Sequence, residues 1–169
     1  MSWFDLGALV LTLLAAVDGA TSGLAWAAME SAVLLGSAAA ARALAPGAEP
    51  YVFKATDLPA HDLPWVTHVV VFALCAGSLF GLLLLAHPAA KKWRFRRDAW
   101  AGGALGVVNG ALASLLIFAV TIGTTHGAWE EEAHRSRMLP VVASLTATPA
   151  AAVLPPYAPA RAAALSEPR

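Results

Sequence analysis

Charge is what this sequence has least of. Asp, Glu, Lys and Arg make up 13% of its 169 residues, about half the share of an ordinary soluble domain. Basic and acidic residues stand at 11 each, so the formal net charge is zero. A neutral chain this poor in Lys and Arg offers no electrostatic footprint to a nucleic acid. Cysteine is nearly absent. Cys75 alone excludes an internal disulfide and reads as a small apolar side chain within an apolar run. The G-x-S-x-G, H-E-x-x-H, P-loop and dinucleotide signatures are missing too. "GGALG" (102–106) lies inside an apolar helical stretch, not between a strand and a helix, so it is no phosphate cradle. His61, His68, His87, His126 and His134 include no i, i+4 pair, whereas a zinc site needs three or four converging ligands. No metal, no cofactor and no catalytic constellation is expected.

What the chain has in quantity is apolar surface: 59% hydrophobic residues and a mean hydropathy of +0.65. Water cannot receive that surface, and lipid can. Four stretches are long enough to cross, at residues 4–23, 24–44, 65–87 and 100–125. The first begins without the basic residues of a secretory leader, so it is expected to stay as a span. It is the weakest, because only 6–17 is free of charge and Asp18 interrupts its end. "DGATSG" (18–23) supplies a tight turn. Residues 45–64, with four prolines and mixed charge, read as an exposed loop, and Pro88 reads as the end of the third span.

Basic residues fix the orientation. Lys91, Lys92, Arg94, Arg96 and Arg97 crowd one short loop, whereas 45–64 holds only Lys54. The positive-inside rule puts 88–99 in the cytoplasm and, with four spans, both termini outside. The same cluster is expected to bind anionic lipid, at about 1 kcal/mol per basic residue.

Within lipid, helices associate through close backbone packing, which small residues four apart permit. The fourth span carries Gly102, Gly106, Gly110 and Ser114 in that register. The third carries Ala73, Gly77 and Gly81, and the first Ala15, Gly19 and Gly23. Spans three and four are the expected close pair. The fourth-span stripe faces either a neighbouring span or a second copy of the chain, and another membrane protein is the other candidate partner. Three polar residues stand out: Asn109 in the fourth span, and Asp18 and Glu30 flanking the first turn. Interhelical hydrogen bonding is the preferred role for Asn109, with a polar pore lining as the competing one. Helix-end carboxylates is the preferred role for the acidic pair, with a proton or cation path as the competing one.

The expected fold is an all-α integral membrane protein: an antiparallel bundle of four transmembrane helices in two hairpins, over residues 1–128. A tail follows over 129–169. "EEE" (130–132) can open a short helix in accord with the dipole, "MLPVVASL" (138–145) suits a membrane interface, and the Ala/Pro-rich end from 146 onward is expected to be disordered.

The succession of "WFDL", "GATSGL", "RRDAWAGGALGVVNGALASLLI", "RSRMLPVV" and "LPPYAP" resembles the colicin V production protein (CvpA) family. The matching positions include Asp5, Asp98 just before the glycine-rich span, and Ser136 ahead of Leu139–Pro140. The chain departs from that pattern where members often carry arginine. Ser22 precedes Gly23, Ala25 and Trp26 take the place of the following charges, and Asn109 replaces the arginine among the glycines. The resemblance implies a multi-pass protein of the bacterial inner membrane, concerned with colicin V production or export and envelope upkeep, with no known reaction or cofactor. A non-enzymatic scaffold is the first expectation, and a small channel or transporter subunit is the alternative.

Overall fold

The N-terminal helix begins with a reciprocal cap. Ser2 Oγ accepts from the Asp5 N–H at 3.1 Å, and the Asp5 carboxylate accepts from the Ser2 N–H at 3.2 Å. Two orphan helix donors are thereby satisfied. That helix, α1 (Trp3–Ser22), ends at Gly23, whose φ of 91° lies in the left-handed region open to glycine. A new helix starts at once on the other side.

The computed structural model describes residues 2–56, 58–60, 62–90, 98–123, 128–145, 148 and 153–166. Its long helices are α1, α2 (Leu24–Thr56), α3 (Leu63–Ala90) and α4 (Asp98–Thr121), followed by the short α5 (Ala128–Arg135), α6 (Met138–Leu145) and α7 (Ala158–Ser166). No strand occurs among the described residues. All four long helices have the length and composition to cross a membrane. α1 has 20 residues, about 30 Å at 1.5 Å per residue, which matches a hydrocarbon core.

α1 lies on α4, and α2 lies on both α3 and α4. The α1–α4 contact is close and runs antiparallel. A Cβ placed on Gly102 would meet the Gly19 carbonyl, one on Gly106 the Ala15 carbonyl, and one on Gly110 the Thr12 Cα. Farther along, Ser114 Oγ lies 3.5 Å from the Ala8 carbonyl, and the Phe4 and Phe118 rings meet edge to face with centroids 5.2 Å apart. Progress up α1 thus matches progress down α4. The opposite face of α1 turns Leu6, Leu9, Val10, Leu13, Leu14 and Val17 outward, with Val17 64% exposed. Small side chains inside and large apolar ones outside invert the pattern of a soluble helix, as lipid surroundings require.

Four expectations need correction. Spans three and four are not the close pair: α4 presses its glycines on α1, where Ala15, Ala16 and Gly19 answer them. A Cβ at Gly77 or Gly81 would meet no described atom within 4 Å. Residues 45–56, read as loop, continue α2 to 33 residues, about 50 Å and longer than the hydrocarbon core. Pro46 and Pro50 stand four apart on the exposed side, while Ala45 and Ala48 hold the packed side. Each proline removes one helix donor, yet the helix continues through both to Thr56. α3 likewise runs past Pro88 to Ala90. Lastly, part of the Ala/Pro-rich end is ordered. Ala158, Ala162 and Leu165 form the i, i+4, i+7 stripe of α7 and are buried with Leu154, Leu139 and Val142.

Candidate functional site

Polar side chains concentrate at four places. The first is Asn109 on α4, 7% exposed. Its Nδ2 donates to the Ala27 carbonyl at 2.8 Å, and its Oδ1 lies 2.6 Å from Ser31 Oγ, which also approaches the Ala27 carbonyl at 2.9 Å. Both partners belong to α2, so the amide joins α4 to α2 with its donor and its acceptor engaged.

The second is the turn at Gly23. Asp18 near the end of α1 and Glu30 in the second turn of α2 come within hydrogen-bonding reach of one another, and Glu30 also reaches the Trp26 side chain. The sequence set these residues on either side of a turn, and the structure brings their side chains together.

The third site docks the tail. Asp5 Oδ1 accepts from Ser136 Oγ at 2.9 Å and from the Arg137 N–H at 3.0 Å, while its other oxygen completes the α1 cap. The Trp3 N–H donates to Glu132 of α5 at 3.3 Å. Carboxylates at the start of a helix suit its dipole. The acid of α1 and the serine before Leu139–Pro140, 131 residues apart in sequence, form one charge-assisted contact. Asp98 is the first residue of α4, far from this contact at the other end of the helix.

The fourth lies at the same end of the bundle as the tail. Thr67 and His68 of α3 are 0% and 2% exposed, and neither Thr67 Oγ1 nor His68 Nδ1 has a partner among the described residues. His68 meets the ring of Tyr157 edge to face at 6.2 Å. The tail closes over this region: Arg42 donates to the Leu154 carbonyl at 2.7 Å, and Arg161 Nε donates to the Ile122 carbonyl at 3.3 Å. Tyr157 lies against Gly123, and burial pushes its phenol well above the usual tyrosine range.

Of the residues singled out in the sequence, Gly102, Gly106, Asn109 and Gly110 lie on the packed faces of α4. A Cβ on Gly77 or Gly81 would meet none of the described residues. Lys91, Lys92, Arg94, Arg96 and Arg97 lie outside the described residues, as do His61 and His126. Among the described residues, no three of His, Cys, Asp and Glu converge as metal ligands would. Sequence reasoning missed Ser31 and Arg42 as partners. A serine four residues after Ala27 gives no signal that an amide on another helix will meet it. Ser2 did carry a signal, because Ser-x-x-Asp ahead of an apolar run is a capping box.

A sequence model of the family described as colicin V production protein matches residues 4–147, a stretch that holds all four long helices and the Asp5–Ser136 contact. No curated protein and no solved structure matches the chain.

Proposed function

The chain belongs to the colicin V production protein family, a membership that makes it a membrane protein of colicin V production, and we propose that it acts there as a non-catalytic scaffold of the bacterial inner membrane. The observation that carries this reading is the use made of α4. Gly102, Gly106, Asn109, Gly110 and Ser114 are all engaged by α1 or α2 of the same chain. The small-residue face of α4 therefore builds the bundle.

In this reading the four spans form two hairpins, and the positive-inside rule places the basic 88–99 loop in the cytoplasm. The α5–α7 end and both termini then lie outside. Lys91, Lys92, Arg94, Arg96 and Arg97 hold the cytoplasmic end on anionic lipid. Gly77 and Gly81, open on α3, give a second copy or another membrane protein a place for close approach.

A second reading is favoured by the Asp18–Glu30 approach: a small channel or transporter subunit in which the carboxyl pair carries protons or cations. Colicin V secretion by cells that depend on this protein separates the two. For a scaffold, Glu30→Gln retains secretion and Gly106→Ile abolishes it. Ion current through the purified protein in a planar bilayer, lost in Glu30→Gln, supports the channel subunit instead.

A further inference from the structure

The α1–α4 pair and the α2–α3 pair do not close on one another completely. Between them lies a cavity of about 360 Å³, within the range of about 300–1,000 Å³ that small-molecule sites occupy. Leu11, Leu34, Phe72, Ala113 and Leu116 form apolar walls, and Pro155 of the tail stands at one end. Ile117, also on the wall, is 57% exposed, so the cavity opens sideways toward the surroundings of the bundle. Two polar residues line the cavity: Thr121, whose hydroxyl donates to the Ile117 carbonyl of its own helix at 2.6 Å, and His68. His68 is 2% exposed, and its Nδ1 is buried with no partner among the described residues. Buried polar atoms are rarely left so.

Position narrows the ligand. His68 comes five residues after the start of α3 at Leu63, about 8 Å along the axis. Trp65, a residue type that anchors helices at the interface, lies one turn earlier. The imidazole therefore sits where headgroup gives way to hydrocarbon, and the apolar walls continue inward from it. Arg42 stands close enough to His68 for their charges to interact. Its one hydrogen bond among the described residues goes to the Leu154 carbonyl, and no described carboxylate pairs with it. His68 and Arg42 thus stand near one another at the end of the cavity that the Leu154–Pro155 segment covers.

We propose that this cavity holds one acyl chain of a membrane phospholipid, with its ester carbonyl accepting from His68 Nδ1–H and its phosphate beside Arg42. A carbonyl acceptor is met by the tautomer that carries the proton on Nδ1. The Leu154–Pro155 segment then covers the glycerol level of the bound lipid. This site lies at the opposite end of the helices from the basic 88–99 loop and reads a different part of the lipid.

The test uses the full chain in nanodiscs containing a phosphatidylethanolamine with a diazirine midway along one acyl chain. After irradiation the labelled peptides are mapped by mass spectrometry. Labelling is expected at Leu34, Phe72 and Ala113. It should fall about fivefold in His68→Phe, the share one hydrogen bond commonly carries, and more in Ala113→Phe, which fills the cavity and keeps the imidazole. Labelling of the outward face at Leu13 and Val17 reports surrounding lipid and should not change. Labelling confined to that outward face, or equal cavity labelling in the wild type and Ala113→Phe, overturns the proposal. In a parallel arm a diazirine fatty acid replaces the phospholipid. Cavity labelling by the fatty acid alone overturns the assignment to phospholipid.

Discussion

At the scale of single residues, Asn109 and Asp5 each work with partners supplied by a different part of the chain. Asn109 is the clearest case, because the Ala27 carbonyl takes its amide proton while Ser31 meets its oxygen. Replacement by leucine removes both bonds and leaves Ser31 its own-helix carbonyl as acceptor. Asn109→Leu is expected to cost about 0.6–1.7 kcal/mol, the span measured for such bonds in membranes, when unfolding is followed in mixed micelles. Asn109→Leu combined with Ser31→Ala should cost less than the two separately, since both changes break one contact. The need of Asn109 for a partner was legible in the sequence, because a lone amide in an apolar run has few other fates. Its partner was not, since the α2–α4 register depends on packing that no local pattern encodes. Asp5 and Ser136 each fit the family pattern, yet nothing in their 131-residue separation announced that they touch.

At the scale of helices, α1 and α4 fit because each presents backbone where a soluble helix would present side chains. Any Cβ on Gly106 must displace the backbone at Ala15 and Ala16. Gly106→Ala is therefore expected to destabilise the protein by about 1–3 kcal/mol, the usual cost of overpacking, despite the better helix propensity of alanine. Gly81→Ala, with no described atom near its Cβ, should be neutral or slightly stabilising. Thermal unfolding in detergent separates the two, and equal effects would deny that the α4 glycines are matched to α1. The four spans were readable from length and charge. Their pairing was not, because small-residue stripes recur on α1, α3 and α4 and carry no address. Proline was misleading at Pro46 and Pro50, where loss of a single helix donor at an exposed position did not outweigh the packed Ala45 and Ala48.

At the scale of the whole molecule, two kinds of packing meet. Lipid-facing helices hold one another by close backbone contact, while the α5–α7 cap has a conventional apolar core around Leu139, Val142, Leu154 and Leu165. Leu154 is 2% exposed and its carbonyl receives Arg42. Leu154→Ala should cost about 2–5 kcal/mol, as for other buried leucines, and raise hydrogen exchange in α6 and α7 more than in α1. Composition hid this cap, since a sequence rich in alanine and proline resembles an unstructured tail until Ala158, Ala162 and Leu165 are seen to share one face. The arrangement as a whole rests on antiparallel contact between α1 and α4 within a membrane. A cysteine pair tests this most directly, in native membranes and with Cys75 replaced by serine. A Cβ on Gly103 would lie 3.3 Å from that of Ala20, near the roughly 3.5–4.5 Å that a disulfide spans. Ala20→Cys with Gly103→Cys should form an intramolecular disulfide rapidly under mild oxidation, while Ala20→Cys with Ala113→Cys should not. Preferential linkage of the 20–113 pair, or linkage of 20–103 only between separate molecules, would contradict the arrangement.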